Sequence, residues 1–370
     1  MVAVQRVALY LPSLRGGGAE RVMLDLANGF AARGLATDLV LPQAEGPYLE
    51  LVDRSVRVVD LSASRVLGSL AGLVRYLARE RPDALLTTLT HANLVALWAR
   101  GVAGVPTRVV VREANTLSQV ARGFRRLKNR VLPFLVRRFY PLAYRVVAVS
   151  EGVAADLVGP IGLPRELVTV LANPIVTPEL ARQAAEPLAH PWFEAGAPPV
   201  ILGAGRLAPQ KDFATLVRAF AELRRRRPAR LMILGEGAER ARLEALVAEL
   251  RLGEHVALPG FSDNPFPYMS RAAVFVLSSA WEGMPGALIQ ALACGARVVA
   301  TDCKSGPREV LQDGRLGRLV EVGDVAGMAS AIDQALDSPP APLPAGALDR
   351  FGRAAAVDGY LSILRGEPHA

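Results

Sequence analysis

Short apolar runs alternate with amphipathic stretches along the whole chain of 370 residues. The first series predicts strands at 4–11, 37–41, 56–61, 84–89, 108–112 and 145–149, and a second series predicts strands at 200–204, 230–234, 255–258, 273–277 and 297–301. Helical patterns, with apolar residues three and four positions apart, lie between most of these runs. Strands that alternate with helices are typical of parallel sheets with right-handed crossovers, so we expect an α/β fold.

The two series predict two Rossmann-like domains that face each other across a cleft. A chain of 370 residues is long for one core, which agrees with two domains. We place the first domain at 1–180 and the second at 200–345. Residues 181–199 are rich in Pro and Ala and are predicted to be a linker. Residues 346–370 are predicted to form a last helix that packs back on the first domain.

The composition narrows the class of protein. Apolar residues make up 51% and charged residues 21%, which is typical of a packed globular protein. The two cysteines and four histidines form neither a disulfide framework nor a cluster of metal ligands. The start of the chain lacks the architecture of a signal peptide, and no run of 18 apolar residues is present, so we expect a cytoplasmic protein.

Positive charge is concentrated in one segment. The net charge is +8, and no acidic residue lies between Glu113 and Glu151, an interval that holds eight basic residues. Within it, 118–140 has a helical pattern in which Val131 and Phe134 share an apolar face. Such a helix is able to lie on an anionic membrane surface, and the alternative is a core-packed helix with a solvated charged face. No nucleic-acid-binding motif is present, so we expect no nucleic acid partner.

Candidate binding residues in the first half follow predicted strands. Gly16, Gly17 and Gly18 lie between the first strand and a helix, where glycines let the backbone approach a bound group closely. A flexible turn has the same composition. His91 follows the run at 84–89, at the carboxyl end of a strand, where α/β sheets bind ligands. A capping or packed residue is the alternative for His91.

The stretch 281–295, WEGMPGALIQALACG, follows an apolar strand and begins a helix near Pro285. It places Glu282 at the carboxyl end of a parallel strand, with Gly283, Met284 and Gly286 around the start of the helix. The N-terminus of a helix offers unpaired N–H groups and a partial positive charge, so an anionic ligand is able to bind there. An ordinary strand–helix connection with a solvated glutamate is the alternative.

Cations and a further carboxylate follow the first strands of the second half. Arg206 and Lys211 lie in GRLAPQKDF (203–213), and two cations at such a turn are able to hold a diphosphate. Glu236, in GEGAER (235–240), is expected on the same rim. No two aspartates are separated by a single residue anywhere in the chain, so the usual metal-binding signature of sugar-nucleotide enzymes is missing.

Taken together, these motifs resemble the family 4 retaining glycosyltransferases, which have the two-Rossmann GT-B architecture. The resemblance covers nearly the whole chain through GGGAERVMLDLANGF (16–30), VSEGVAADL (149–157), LANP (171–174), GRLAPQKDF, GEGAER, WEGMPGALIQALACG and TDCKSGPRE (301–309). It implies sugar transfer from a nucleotide diphosphate donor, with retention at the anomeric carbon and no cofactor or metal. It also implies that the second domain holds the donor and that the first mainly holds the acceptor.

The resemblance assigns roles to the donor-side residues. It gives Arg206 and Lys211 the donor diphosphate, and it gives Glu282 the hydroxyl groups of the donor sugar. Backbone N–H groups at 283–286 would add contacts to the sugar or the phosphates.

The resemblance also bears on residues of the first domain and on position 290 of the second. Gly17 and Gly18 would let the first domain approach the donor phosphates, and His91 would lie near the reacting centre. The family often has a second glutamate eight positions after the first, which binds ribose hydroxyls. Here that position is Gln290, whose neutral carbonyl gives a weaker hydrogen bond than a carboxylate.

We therefore predict a metal-independent retaining glycosyltransferase that transfers a hexosyl or N-acetylhexosaminyl group. The expected donor is a UDP-sugar, and the expected acceptor is a glycan or lipid-linked molecule in envelope polysaccharide or glycolipid assembly. The basic segment 118–140 predicts a peripheral position on the inner face of the plasma membrane. A non-catalytic sugar-nucleotide-binding subunit is the alternative, in which Gln290 marks decay of the site. A sugar-nucleotide 2-epimerase would share the architecture but has no support in these motifs.

Overall fold

The computed structural model describes residues 4–119, 127–339 and 342–367. The chain divides into two compact units, one formed by Met1–Ile175 with Arg350–Ala370 and the other by Val176–Asp349. The expected linker at 181–199 therefore lies inside the second unit. It is not an extended connection, because its beginning belongs to the helix Pro178–Ala184 and Pro191–Phe193 form a 3-10 turn.

In the described part of the first unit, seven strands form one parallel sheet in the order β3-β2-β1-β4-β5-β6-β7. The strands are β1 (Arg6–Tyr10), β2 (Ala36–Leu41), β3 (Val56–Asp60), β4 (Ala84–Thr88), β5 (Arg108–Glu113), β6 (Arg145–Ala148) and β7 (Val168–Val170). The helices are α1 (Gly18–Ala31), α2 (Leu70–Glu80), α3 (Thr90–Ala103), α4 (Leu127–Phe139) and α5 (Glu151–Val158). They connect strands that run in the same direction, as the alternation in the sequence predicts.

In the described part of the second unit, six strands form a parallel sheet in the order β10-β9-β8-β11-β12-β13. The strands are β8 (Val200–Ala204), β9 (Arg230–Leu234), β10 (Val256–Gly260), β11 (Val274–Leu277), β12 (Val298–Thr301) and β13 (Arg318–Val320). The helices are α6 (Pro178–Ala184), α7 (Phe213–Arg224), α8 (Arg240–Glu249), α9 (Phe266–Arg271), α10 (Gly286–Ala293), α11 (Pro307–Val310) and α12 (Val325–Asp337). The two sheets have the layout of Rossmann-like domains.

The central strands are buried on both faces, which explains why they read as continuous apolar runs. In β1, residues 7–10 are all buried, and in β8 the whole strand Val200–Ala204 is buried. A parallel sheet with helices on both faces exposes neither side of its strands to water. Each unit therefore has its own core, with Leu9 and Val110 in the first and Ile201 and Val276 in the second.

The last helix, α13 (Arg353–Arg365), belongs to the first unit and packs against α1. Val357 and Tyr360 are fully buried in the core of that unit. The contact is close because Gly29 of α1 has no side chain, and a Cβ there would lie 2.4 Å from a methyl group of Val357. The sequence predicted this helix within 346–370, but a 3-10 turn at Asp349–Phe351 precedes it.

The basic segment 118–140 is described only in part, because residues 120–126 and the side chains of 127–130 lie outside the described residues. The helix α4 continues through Pro133. Val131 is 47% exposed and Phe134 is 66% exposed, whereas Val136 is buried. None of the helices in the described ranges is both long enough and apolar enough to cross a membrane.

Candidate active site

The second sheet has a topological switch point between β8 and β11. These strands are neighbours, but the chain forms β9 and β10 on the far side of β8 before it returns to β11. In α/β sheets, the crevice outside the carboxyl ends of the strands at such a point binds ligands. The loops after β8 and β11 meet there, since the N–H of Ala280 donates to the carbonyl oxygen of Gln210 at 2.8 Å.

The Glu282 carboxylate lies at this switch point, only 5% exposed, and is held by three side chains. Lys211 Nζ donates to Glu282 Oε1 across 2.5 Å, and Ser279 Oγ donates to the same oxygen at 2.6 Å. Gln210 Nε2 lies 3.5 Å from Oε2 and donates more closely, at 2.9 Å, to the carbonyl oxygen of Trp281. Among the described residues, Oε2 has no closer hydrogen bond than this weak one, so it is the oxygen with capacity to accept a ligand hydroxyl group.

Gln210 and Ser279 were not among the residues predicted from the sequence. Gln210 lies 72 residues before Glu282 and Ser279 only three before it, and spacing alone does not show which side chains turn toward the carboxylate. The 3-10 turn Pro209–Lys211 sets the direction of Gln210 and Lys211. Asp212 then takes a left-handed φ of 42° and caps α7 by accepting the N–H of Thr215.

Arg206 and Glu236 differ in whether their side chains are already paired with another described residue. Arg206 is exposed, and its side chain makes no hydrogen bond or ion pair with any other described residue. Glu236 is also exposed, but both of its oxygens accept hydrogen bonds from Arg240, at 2.6 and 2.8 Å. These bonds hold the pKa of the Glu236 carboxyl below its usual value. Arg206 is therefore free to bind an anion, whereas Glu236 is already paired.

Glycines bring the loops of this edge into backbone contact. A Cβ at Gly235 would lie 1.9 Å from the carbonyl oxygen of Gly205, and one at Gly237 would lie 2.2 Å from that of Leu207. Their φ angles of 141° and 159° also disfavour side chains. The N–H of Leu207 donates to the carbonyl oxygen of Glu236 at 2.8 Å. The loops after β8 and β9 therefore form one continuous rim.

The loop before α10 is supported from behind by the loop after β12. Ser305 Oγ donates to the carbonyl oxygen of Gly283 at 2.9 Å. A Cβ at Gly306 would lie 2.4 Å from Pro285 Cδ, so only glycine fits there. The helix α10 begins at Gly286, and its first N–H groups have no acceptor within the helix. A helix N-terminus with this fixed entry is able to bind an anion.

Met284, Gln290 and Cys303 complete the surroundings. Met284 is buried and packs inward, whereas Gln290 is half-buried on α10 and its side chain makes no hydrogen bond to another described residue. Burial and the nearby Glu282 charge raise the pKa of the Cys303 thiol to about 12. Cys303 is therefore a neutral thiol at physiological pH and not a thiolate nucleophile.

The first unit has its own switch point between β1 and β4, and the predicted glycines lie in the loop after β1. Glu20 of α1 accepts the N–H groups of Gly16 and Gly17 at 2.8 and 2.9 Å, so these two donors are engaged. Gly18, the first residue of α1, is exposed, and no described atom lies within 4 Å of the position that its Cβ would take. Gly18 therefore leaves open space at the helix N-terminus.

His91 is exposed at the same switch point, as the second residue of α3, which follows β4. The protein around the ring lowers its pKa through desolvation. The ring is therefore neutral at physiological pH. No group of three potential metal ligands occurs among the described residues.

Comparisons of the chain with known proteins identify the protein family to which it belongs. Residues 198–338 match the model of the "Glycosyl transferases group 1" family, and residues 17–174 match that of the "Glycosyl transferase 4-like domain". The N-acetylgalactosamine-N,N'-diacetylbacillosaminyl-diphospho-undecaprenol 4-alpha-N-acetylgalactosaminyltransferase of Campylobacter jejuni is 32% identical over 345 residues, which cover 90% of this chain and 91% of that protein. The chain belongs to the group 1 glycosyltransferases. The predicted family and the prediction of an enzyme are both confirmed.

One further relative agrees with this family, and one solved structure has the same fold. The lipopolysaccharide core biosynthesis glycosyltransferase LpsE of Rhizobium meliloti is 27% identical over 365 residues, 96% of this chain and 97% of that protein. The crystal structure of Anabaena Alr3699/HepE in complex with UDP matches with a TM-score of 0.70 at 21% identity, over 98% of this chain and 96% of that one. The predicted GT-B fold class, with two Rossmann-like domains, is confirmed.

Proposed function

We propose that this glycosyltransferase transfers a hexosyl or N-acetylhexosaminyl group from a UDP-sugar to a lipid-linked or glycan acceptor, with retention at the anomeric carbon. The main support is the switch-point site, where buried Glu282 pairs with Lys211 and where Arg206 has no partner among the described residues. The relative from Campylobacter jejuni acts on an undecaprenol-linked substrate, and LpsE acts in lipopolysaccharide core synthesis. We therefore assign this enzyme to envelope polysaccharide or glycolipid assembly.

Lys211 has two roles in this proposal. Without donor it neutralises Glu282 through the 2.5 Å contact. With donor bound, Lys211 and the unpaired Arg206 bind the diphosphate, and Glu282 Oε2 accepts a hydroxyl group of the sugar. Cations placed at the diphosphate stabilise the negative charge that develops as it leaves. UDP is the nucleotide bound in the structurally similar HepE, which supports this choice of donor.

Retention follows if the acceptor attacks the face from which the diphosphate departs. The bond between the anomeric carbon and the phosphate oxygen breaks, and a bond from the acceptor oxygen to that carbon forms. The acceptor proton passes to the leaving phosphate oxygen, so the protein supplies no nucleophile. The name of the Campylobacter jejuni relative specifies an α linkage, which retention yields from an α-linked nucleotide sugar.

The reaction is proposed to need no metal. The sequence has no two aspartates separated by one residue, the usual acidic signature of metal-dependent sugar-nucleotide enzymes. Arg206, Lys211 and the N-terminus of α10 would carry the neutralisation of the diphosphate in place of a cation.

The test is a transfer assay with UDP-sugars and an undecaprenyl-diphosphate-linked oligosaccharide, in buffer that contains EDTA. We expect an α-linked product, identified by the NMR coupling constant of its anomeric proton. Glu282→Gln should abolish transfer, whereas Glu249→Gln, an exposed control in the same unit, should not. A product of inverted configuration, or loss of activity in EDTA, would contradict the proposal.

Peripheral binding to an anionic membrane surface is the second part of the proposal. The observation that favours it is the exposed apolar surface of α4, formed by Val131 and Phe134, beside the exposed Arg137 and Arg138. A helix that only packs on the core would bury its apolar residues and expose its charges. Apolar side chains next to cations are suited to the boundary between headgroups and acyl chains.

Co-sedimentation with vesicles that contain phosphatidylglycerol tests this surface. Arg137→Glu/Arg138→Glu should weaken partitioning at least about tenfold, because each basic residue near an anionic surface contributes about 1 kcal/mol. Arg75→Glu/Arg225→Glu removes the same charge from exposed positions elsewhere and should have a small effect. Equal loss in the two double variants would count against a membrane surface at α4.

A further inference from the structure

A buried carboxylate lies at the carboxyl end of β5 in the first unit. Glu113 is 1% exposed, and its Oε2 accepts the hydroxyl proton of Tyr140 at 2.8 Å. Thr90 Oγ1 donates to the same carboxylate, at 3.2 and 3.3 Å from its two oxygens. Asn93 Nδ2 in turn donates to Tyr140 Oη at 3.0 Å and to the carbonyl oxygen of Arg112 at 3.1 Å.

Glu113 connects the helix that carries His91 with the end of the basic helix α4. Thr90 is the first residue of α3, and His91 is the next one. Tyr140 begins the 3-10 turn directly after the basic helix α4. The two helices also touch through Trp98 and Phe139, whose rings are 5.5 Å apart and nearly perpendicular. The carboxylate therefore bridges the start of α3 and the end of α4.

No cation pairs with Glu113 within the described part of the chain. The neighbouring Arg112 points to the other face of the strand, where it donates to Thr88 Oγ1 at 2.8 Å and Asn173 Oδ1 at 2.6 Å. A buried carboxylate that is held only by neutral donors is expensive to keep ionised. Simple packing does not require such a group, since an apolar side chain would fill the same place.

We propose that Glu113 is a positioning residue that ties the first turn of α3, and with it His91, to the end of the membrane-facing helix α4 in a proton-dependent way. The inference rests on the proposed function, because α4 has its role there and the family resemblance places His91 near the reacting centre of the same reaction. It adds a link between the two. When Glu113 is ionised, both helices are held to it. When it is protonated, the bridge is rearranged.

Two observations support the proton dependence. Burial raises the pKa of the Glu113 carboxyl to about 7, within the range in which cellular pH varies. Asn93 Oδ1 is buried and makes no hydrogen bond in the described structure. A protonated Glu113 has to donate to a neighbour: either to Thr90 Oγ1, whose own proton must then turn away, or to Tyr140 Oη, whose own proton must then find another acceptor. An amide flip of Asn93 offers one, at the cost of its bond to Arg112.

Other groups that titrate or carry charge lie on the surrounding elements: Tyr140 after α4, Arg112 on β5, His91 on α3 and Glu151 at the start of α5. Desolvation lowers the pKa of His91, so His91 loses its proton at a lower pH than Glu113 does. A His91→Gln variant separates the two.

The direct test is the fluorescence of Trp98 between pH 5.5 and 8.5, with the Trp98→Phe protein as the blank for Trp192 and Trp281. We expect a step near pH 7 in the wild type and in His91→Gln. Glu113→Gln should remove the step.

Two further variants test whether the step depends on the link to α4. Tyr140→Phe keeps the Glu113 carboxyl group but cuts that link, and it should reduce the fluorescence step at least threefold. Tyr10→Phe, which removes a buried hydroxyl bonded to Ser69, should leave it intact. A step that persists in Glu113→Gln, or its absence in the wild type, overturns the proposal.

The same variants are then assayed for sugar transfer across this pH range. In the wild type, kcat should rise severalfold through pH 7 while the KM for the donor stays constant, and Glu113→Gln should give a flat profile. The fluorescence of Trp98 does not depend on sugar transfer. If the wild type transfers no sugar, the proposed function is contradicted, and the fluorescence result still decides this inference. An active Glu113→Gln enzyme with an unchanged pH profile would contradict this inference alone.

Discussion

Lys211 and Glu282 form a partly buried ion pair whose exposed fractions are 18% and 6% for the two side chains. A buried charge that loses its partner is strongly destabilising, whereas removal of both charges is better tolerated. The two charges therefore depend on each other in the free enzyme, because either charge alone would be costly to keep there.

We expect Lys211→Ala to lower the free energy of unfolding by about 2–4 kcal/mol, because it leaves Glu282 unpaired. In the double variant Lys211→Ala/Glu282→Gln the loss should be clearly smaller than in Lys211→Ala alone. Urea unfolding of the wild type, both single variants and the double variant gives the coupling energy. Additive losses would show that the pair contributes nothing to stability.

Gln290 is the residue at which this chain differs from the family pattern. A carboxylate there would accept ribose hydroxyl protons more strongly than the neutral amide, by about 1–2 kcal/mol. We expect Gln290→Glu to tighten UDP binding about five- to thirtyfold in calorimetry. Gln290→Ala should weaken it. If Gln290→Glu binds UDP more weakly than the wild type, the ribose does not lie against this position.

Glu113 should make the stability of the enzyme depend on pH. Its pKa is raised in the folded state to about 7 from an ordinary 4.5, so the folded form binds a proton that the unfolded form has lost. Its stabilising contribution is therefore present at low pH and is lost as pH rises through 7. Between pH 5 and pH 8 the wild type should lose about 2–3 kcal/mol more than Glu113→Gln, as measured by urea unfolding. Equal losses would mean that Glu113 is ionised at both pH values.

At the scale of elements, most of the fold was predictable from the alternation of apolar runs. The strands at 200–204 and 230–234 were predicted with their correct ends, and the other predicted strands were correct to within two residues. The two strands that were not predicted, Val168–Val170 and Arg318–Val320, have three residues each and lie at sheet edges. Edge strands of this length have no continuous apolar run, so periodicity does not reveal them.

The packing of α13 on α1 gives an element-scale prediction. Gly29→Ala should lower the free energy of unfolding by about 1–3 kcal/mol, since the added methyl group overlaps Val357. Val357→Ala in the same chain should recover part of this loss. Gly101→Ala, in a helix with no atom near its Cβ, is the matched control and should be neutral or slightly stabilising. Thermal unfolding of the wild type, the two single glycine variants and the Gly29→Ala/Val357→Ala double variant measures these effects. An equal loss of stability in Gly101→Ala would contradict the close contact between α1 and α13.

At the scale of the whole molecule, both units place their candidate residues by the same rule. Each parallel sheet has a switch point, and the loops that the sequence singled out follow the strands on either side of it. The positions of Glu282, Lys211 and His91 were therefore predictable from strand order and motif. The partners Gln210 and Ser279 of Glu282, and the partner Arg240 of Glu236, were not predictable, because they depend on side-chain directions that only the folded loops define.

The central claim is that a nucleotide diphosphate sugar binds at the switch point of the second unit, and Arg206 tests it most directly. Arg206 has no partner among the described residues, so its replacement should not disturb the fold. Calorimetric titration of UDP into Arg206→Ala should show binding at least about tenfold weaker than in the wild type, because a hydrogen-bonded charge contributes about 1.5–3 kcal/mol. Arg225→Ala should bind as the wild type does. Wild-type affinity for UDP in Arg206→Ala would contradict the account.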